Sequence, residues 1–455
     1  MIVMKFGGTS TEDATAMRNV LRIVRTHQSD HPVLVISAIA RATNELEQIA
    51  RSASLGQQGQ AKDLLTSLRR RHEVIVRELI TGESARTDLL AAIGRYADAI
   101  AARCQVMQAA GLLRPQDMDA VCSFGERLSS RIIAVLLSEH AIPARWVDVC
   151  DFMLTDSNFG RARPIAAEAE TRVRRVLGSL VNEGIVPVTQ GFIGVTRDGE
   201  YTTMGRESSD YSATLIGAML RADRVQIWTD VDGILSADPR VIRNARKIRS
   251  LSFDEALHLS VSGAKVLHPT TMIPVIERKI PVQIMNSKKE GNGSLIQPEN
   301  SGSGGNVKSI AHRKNVLALT VTLKQSSGGA VPSLLGLFSE RGITILLADI
   351  GLNAVTVVIE RLPPDSDLPS LVKKFGSLEV REDLGSITLV GSGIGMDGGI
   401  RGTVTRMAGE DLFILSSGGN TSITLVVRNQ VLSDLLQELH SSLVEGIDDP
   451  GTFDG

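Results

Sequence analysis

Apolar residues along the chain fall into short solid runs separated by longer stretches with helical spacing. Residues 2–6 (IVMKF) and 33–37 (VLVIS) have the character of buried strands. Between them Met17, Val20, Leu21 and Val24 recur at the intervals of one helix face and predict a helix over about 11–27. The same spacing continues from about 43 to 140 as a long helical region, and strand-like runs return at 145–149, 185–190, 192–196 and 224–229. Solid apolar strands alternating with helices predict an α/β fold, a mostly parallel sheet covered on both faces. Ligands of such sheets sit beyond the carboxyl ends of the strands.

Residues 299–306 (ENSGSGGN) are small, polar and glycine-rich, and predict a linker between a catalytic region, 1–298, and a tail of different character. The tail repeats itself. With Ile343 laid on Leu412, the run 343–346 matches 412–415, AVTVV at 354–358 matches ITLVV at 423–427, and Leu335 and Phe338 fall on Val404 and Met407. Each copy reads as a small α+β unit of βαββαβ order. Gly393 to Gly398 (GIGMDG) imitates a dinucleotide-binding turn after the strand-like SITLV. It lies inside the repeat, and no acidic residue ends the next strand (LFIL, then Ser416), so a glycine turn at a helix start is the better reading.

Composition narrows the choice of partners. A net charge of −2 provides no surplus for nucleic acid or an anionic membrane, and 3% aromatic residues provide no stacking platform. An anionic ligand must therefore be met by a local site. Cys104, Cys122 and Cys150 have neither zinc-ligand nor disulfide-framework spacing. The opening MIVMKFGG lacks a charged region followed by an apolar run, and no apolar stretch approaches the ~18 residues of a membrane span. A cytoplasmic protein is expected.

Six segments carry candidate chemistry. In KFGGTS (5–10), Lys5 ends a strand, Gly7 and Gly8 allow close backbone approach, and Thr9 and Ser10 can cap the next helix, which together suit an anion. A plain glycine turn with an exposed lysine is the alternative. In SAIARATNEL (37–46), Thr43 is either a substrate contact or an ordinary cap. In FGERLSS (124–130), Glu126 stands in an apolar helical stretch and needs a cation, either a substrate amine or Arg127 or Arg131. TTMGRESSDYSA (202–213) offers Arg206 as a carboxylate fork and puts Ser208, Ser209 and Asp210 in the first turn of a helix. WTDVDGILSADPR (228–240) runs from a buried strand into Thr229 and Asp230 and ends on Arg240. GAKVLHP (263–269) presents Lys265, a second cation suited to a polyphosphate, while His268 before a proline reads as structural.

In this order and spacing the six segments resemble the aspartate kinase (aspartokinase) family, of the amino-acid-kinase αβα sandwich fold, over essentially the whole chain. The tail resembles that family's paired ACT domains. The resemblance implies a kinase domain at 1–298 and a linker at 299–306. It implies a first strand of the second ACT domain at 307–315, an inserted first ACT domain at 316–383, the rest of the second at 384–447, and a short end at 448–455. It also implies transfer of the ATP γ-phosphate, with Mg²⁺, to the β-carboxylate of L-aspartate, the first step towards lysine, threonine and methionine. The chain ends soon after the second ACT copy, so a monofunctional form is expected.

By the same resemblance Lys5, Asp210 and Arg206 are catalytic. Thr43, Glu126, Phe192, Arg206 and Ser209 bind aspartate, and Lys5, Gly7, Gly8, Thr229, Asp230, Arg240 and Lys265 bind ATP. No metal-ligating set in the protein itself is implied. Many members carry two glycines where this chain has Glu207-Ser208, and a tyrosine where it has Leu235. A homodimer joined through the ACT domains and an amino-acid effector are also implied. Lysine-sensitive relatives carry a hydroxyl-rich run where this chain has Asp349-Ile350-Gly351-Leu352-Asn353, so weak or absent lysine inhibition is expected. The alternatives are another acid kinase of the same fold, or an amino-acid sensor of weak activity.

Overall fold

The computed structural model describes every residue except 206–207, 265–266, 299–304, 325–328, 363–365, 448–450 and 455. The chain divides into two compact units, Met1–Ile234 with Thr270–Pro298, and Leu235–Pro269 with Glu299–Gly455.

In the first unit β1 (Ile2–Phe6) leads through the GGTS turn into α1 (Ala14–Thr26), whose N-terminus is capped by the Asp13 side chain accepting from the Ala16 amide. After β2 (Pro32–Ile36) the long helical region resolves into α2 (Ala42–Ser54), α3 (Gln58–Leu79), α4 (Glu83–Ala110) and α5 (Pro115–Glu139). Gly111, at a φ of 59°, ends α4, and Pro115 opens α5 at the position where its missing N–H costs nothing. There follow β3 (Ala144–Trp146), α6 (Ala166–Val173), β4 (Val186–Gln190), and the hairpin of β5 (Ile193–Val195) and β6 (Tyr201–Thr203), which had not been expected beyond its first strand. Then come α7 (Ser209–Leu220), β7 (Arg224–Thr229), α8 (Pro269–Arg278), β8 (Val282–Asn286) and β9 (Ser294–Gln297).

The sheet of this unit runs β9-β8-β7-β1-β2-β4-β3, parallel except for β9. Every residue of β1, β2 and β4 is buried, as a sheet covered on both faces requires. Its register aligns the carboxyl ends. Phe6 lies opposite both Ile36 and Trp228, Ile36 opposite Gln190, and Thr229 opposite Asn286.

The second unit is built on one antiparallel sheet. Its members are β10 (Ser309–Leu323), β11 (Ile345–Ile350), β12 (Ala354–Ile359), β13 (Gly376–Val390), β14 (Leu412–Gly418) and β15 (Ser422–Arg428), in the order β11-β12-β10-β13-β15-β14. The repeat is present, but its copies share one sheet. Strands β10 and β13, each 15 residues long, run through both copies, with register irregularities between Arg313 and Ala318. Helix α9 (Ala330–Glu340) packs Leu334 and Phe338 on Leu319, Val321, Val355 and Val357.

In GIGMDG, Gly393 turns the chain at a φ of 84° and Gly395 serves packing. A Cβ on Gly395 would stand 2.2 Å from the Gly419 carbonyl oxygen, while Asp397 caps the helix Gly398–Ala408 by accepting from the Gly399 and Ile400 amides. The segment 235–269 is stitched into this unit. Its helix Phe253–Val261 opens on a Ser252/Glu255 capping box, and the Glu255 carboxylate is ion-paired at 2.9 Å with Lys308, both side chains being buried. Ser236 receives the Ile310 amide on its carbonyl and contacts His440 Nε2 through its hydroxyl at 2.9 Å. No helix among the described residues is long and apolar enough to cross a membrane.

Candidate active site

The exits of β1, β2, β4, β7 and β8 form one edge, and the candidate side chains of the first unit gather there. Lys5 is the next-to-last residue of β1 and is buried, with 9% exposure. Its Nζ is 2.6 Å from Asp210 Oδ1. The turn that follows is fixed to its neighbours. Gly7 N donates to Trp228 O, Ala40 N to Gly8 O, and Ser10 Oγ to Ser287 Oγ at 2.8 Å. This is a built turn rather than a loop with a free lysine.

Helix α7 starts at Ser209, so Asp210 sits in its first turn, where a carboxylate is favoured by the helix dipole. Ser209 Oγ donates to Glu126 Oε1 at 2.6 Å. Glu126 is 3% exposed on α5. Burial pushes its carboxyl up to about 7, against the opposing pull of the Ser209 hydroxyl and the Lys5 charge. The arginines beside it are engaged elsewhere. Arg127 pairs with Asp148 and lies over the Tyr96 and Tyr201 rings, and Arg131 lies over the Trp146 ring. The carboxylate of Glu126 is therefore left to the site.

Close packing holds this cluster together. A Cβ on Gly191 would stand 2.7 Å from Ser209 Cα, so the exit of β4 and the start of α7 can approach only with glycine there. Phe192 follows in the left-handed region, at a φ of 57°, with its amide donating to Ser212 Oγ and its side chain buried. Thr43 lies in the first turn of α2, half-buried, after Arg41 at a φ of 69°. Thr229 and Asp230 stand at the exit of β7, where Ser287 N donates to Thr229 O and Thr229 Oγ1 to Asp230 Oδ1.

The pairs Lys5–Asp210 and Ser209–Glu126 are thus brought side by side by adjacent residues in the first turn of α7. Arg240 belongs to the second unit and is exposed there. Its guanidinium holds the Asp238 carboxyl down to about 2. Arg206 and Lys265 lie outside the described residues, as do Glu207 and most of the linker.

Three features of this edge escaped the sequence. Asn286 Nδ2 donates to Asp232 Oδ1 at 2.6 Å and its Oδ1 accepts the Lys288 amide, bracing the exits of β7 and β8. Its signal is a polar NSKK run directly after an apolar strand. Gln190, fully buried, accepts the Val149 amide and donates to Ser130 Oγ. Asp119, on α5, accepts from Thr203 and Gly160. Nothing local in the sequence marks these last two.

Residues 1–286 match the model of the amino acid kinase family, the class that the parallel sandwich with its lysine-bearing edge defines. Lysine-sensitive aspartokinase 3 of Escherichia coli K12 is 32% identical over 464 residues, covering 98% of this chain and 99% of that protein. The aspartokinase of Chlamydia trachomatis is 30% identical over 399 residues, 86% of each chain. The crystal structure of E. coli aspartokinase III in complex with aspartate and ADP superposes with a TM-score of 0.84 at 30% identity, over 98% of this chain and 100% of that one. The chain belongs to the amino acid kinase family and, within it, to the aspartokinases.

Proposed function

We propose that the aspartate kinase reaction of this chain, transfer of the ATP γ-phosphoryl group to the β-carboxylate of L-aspartate to give 4-phospho-L-aspartate, runs at the cluster of Lys5, Glu126, Ser209 and Asp210. The carrying observation is that adjacent residues in the first turn of α7 reach Lys5, through Asp210, and the buried Glu126 carboxylate, through Ser209, at the strand exits.

The nucleophile is the substrate's own β-carboxylate, ionised at neutral pH because its pKa is about 4, so no general base is needed. The barrier lies in bringing one anion to another, and catalysis is positioning plus electrostatics. Lys5 supplies a fixed charge for the moving phosphoryl group. Asp210 holds that ammonium in place before ligands arrive. Glu126 meets the substrate ammonium, Arg206 its α-carboxylate, and Thr43, Phe192 and Ser209 complete the pocket wall. Gly7, Gly8, Thr229 and Asp230 serve the nucleotide.

Mg²⁺ would enter as part of the MgATP substrate, where it would shield phosphate charge, with Asp210 or the exposed Asp230 assisting.

The E. coli relative is named as lysine-sensitive. In this chain the stretch 349–353 lacks a hydroxyl run, and we expect the ACT pair to form a homodimer with weak or absent inhibition by lysine. Steady-state kinetics test the substrate assignments. Glu126→Ala and Arg206→Ala raise the KM for aspartate far more than that for ATP, since losing one partner of a desolvated charge pair costs about 2–5 kcal/mol. An equal rise in both KM values means that these residues serve the wrong ligand.

A further inference from the structure

We propose that Asp119 is a positioning residue for aspartate binding, fixing the loop that carries Arg206. Asp119 lies on α5 two helical turns before Glu126, on the same face, and is 2% exposed. Its Oδ2 accepts from the backbone amides of Gly160 and Thr203, each at 2.8 Å, and its Oδ1 accepts from Thr203 Oγ1 at 2.8 Å. None of these partners is charged. Among the described residues no cation faces it; burial raises its pKa, and these three donated bonds oppose that.

A buried carboxylate held solely by dipoles is an expensive way to fill space in a helix face; an apolar side chain would serve stability better. What the carboxylate provides is geometry, since its two oxygens join loops that are distant in sequence. Thr203 is the last residue of β6, and its carbonyl accepts the Ala162 amide, so the 160–162 turn and the end of the hairpin are tied twice. Met204 N then donates to Phe192 O. Gly205 follows at a φ of 100°, and a Cβ there would stand 3.8 Å from the Gly160 carbonyl oxygen.

Beyond residues 206–207 the chain is caught again at Ser209 by Glu126. Helix α5 therefore holds described residues on both sides of 206–207, through Asp119 at Thr203 and Glu126 at Ser209. Only the second grip lies at the substrate itself. The inference rests on the reading that Arg206 holds the substrate α-carboxylate, and misplacing such a group by about 1 Å can cost up to 100-fold.

The test is steady-state kinetics on Asp119→Ala, Asp119→Asn, Thr203→Val and Arg206→Ala, with thermal midpoints measured alongside. Asp119→Ala is expected to raise the aspartate KM about tenfold or more and leave the ATP KM within about twofold. Asp119→Asn keeps the Oδ2 acceptor and can donate its amide to the Thr203 hydroxyl, so it restores the aspartate KM to near wild type. Thr203→Val removes only the hydroxyl bond and shifts the aspartate KM the same way by a smaller factor; it carries the test if Asp119→Ala does not fold. An unchanged aspartate KM in Asp119→Ala or Thr203→Val, beside a raised one in Arg206→Ala, overturns the inference alone. An equal rise of both KM values with a lowered midpoint, not restored by asparagine, also overturns it by assigning Asp119 a merely structural role. An unchanged aspartate KM in Arg206→Ala overturns the underlying assignment of the α-carboxylate.

Discussion

Replacing Glu126 by glutamine separates what this residue does for binding from what it does to stability. Burial pushes the Glu126 carboxyl from its ordinary 4.5 up to about 7. An unfolded chain gives up this proton near 4.5, whereas the folded chain keeps it until about 7. Between those values the folded state binds the extra proton, so stability falls as pH rises through the window. Above it, the full penalty of about 3 kcal/mol is present. Glutamine carries no charge at any pH and removes this dependence. Any constant offset from its altered hydrogen bonds to Ser209 leaves the slope untouched. Denaturant unfolding of wild type and Glu126→Gln at pH 5 and pH 8 should show the variant gaining on wild type by most of about 3 kcal/mol as pH rises. The same variant should bind aspartate poorly, because the ammonium loses its counter-charge. Aspartate binding to wild type near pH 7 should also release a proton, visible by calorimetry in buffers of different ionisation enthalpy. A stability difference independent of pH would show that Glu126 is already ionised in the empty site and refute this reasoning.

Three further outcomes are expected. Lys308→Met removes the cation paired at 2.9 Å with the buried Glu255 carboxylate, so chemical unfolding should show the second unit destabilised by about 3–5 kcal/mol; a loss below 1 kcal/mol would mean that the pair is hydrated. Gly191→Ala forces a Cβ to within 2.7 Å of Ser209 Cα, and overpacking of this kind costs about 1–3 kcal/mol; turnover should fall with it, and unaltered kinetics would contradict the tight approach of β4 to α7. Titrating lysine into the kinase assay at sub-millimolar concentration should leave activity nearly unchanged, and strong inhibition would show that the reading of 349–353 is mistaken.

The strand exits were legible because they combine an apolar run with an abrupt change to glycine and charge, as at Lys5 and at Thr229. Glu126 was legible as a charge out of place in an apolar stretch, but its partner was not. Local spacing offered Arg127 or Arg131 beside a substrate amine, whereas the fold sends those arginines to Asp148 and Trp146 and brings in Ser209. The helical region from 43 to 140 was read as continuous, although Gly111 and Pro115 mark one of its breaks.

Three features are tertiary and leave no local trace. The copies of the repeat share β10 and β13, because a strand can continue into a second unit without any change in its alternation. Residues 235–269 continue the kinase motifs in sequence, yet they pack in the second unit through Glu255–Lys308 and Ser236–His440. Nothing in the sequence around Asp119 sets it apart, and only its contacts reveal the two loops it joins.

The most direct measurement is capture of the acyl phosphate by hydroxylamine. With ATP and L-aspartate the wild-type protein should form aspartyl hydroxamate together with ADP. It should form neither with glutamate nor without an acid, and Lys5→Ala should lower the rate by about 100-fold, as expected for losing one preorganised donor to the charge in flight. ADP release that ignores the acid, or a Lys5→Ala variant that keeps more than half of wild-type turnover, would contradict the account.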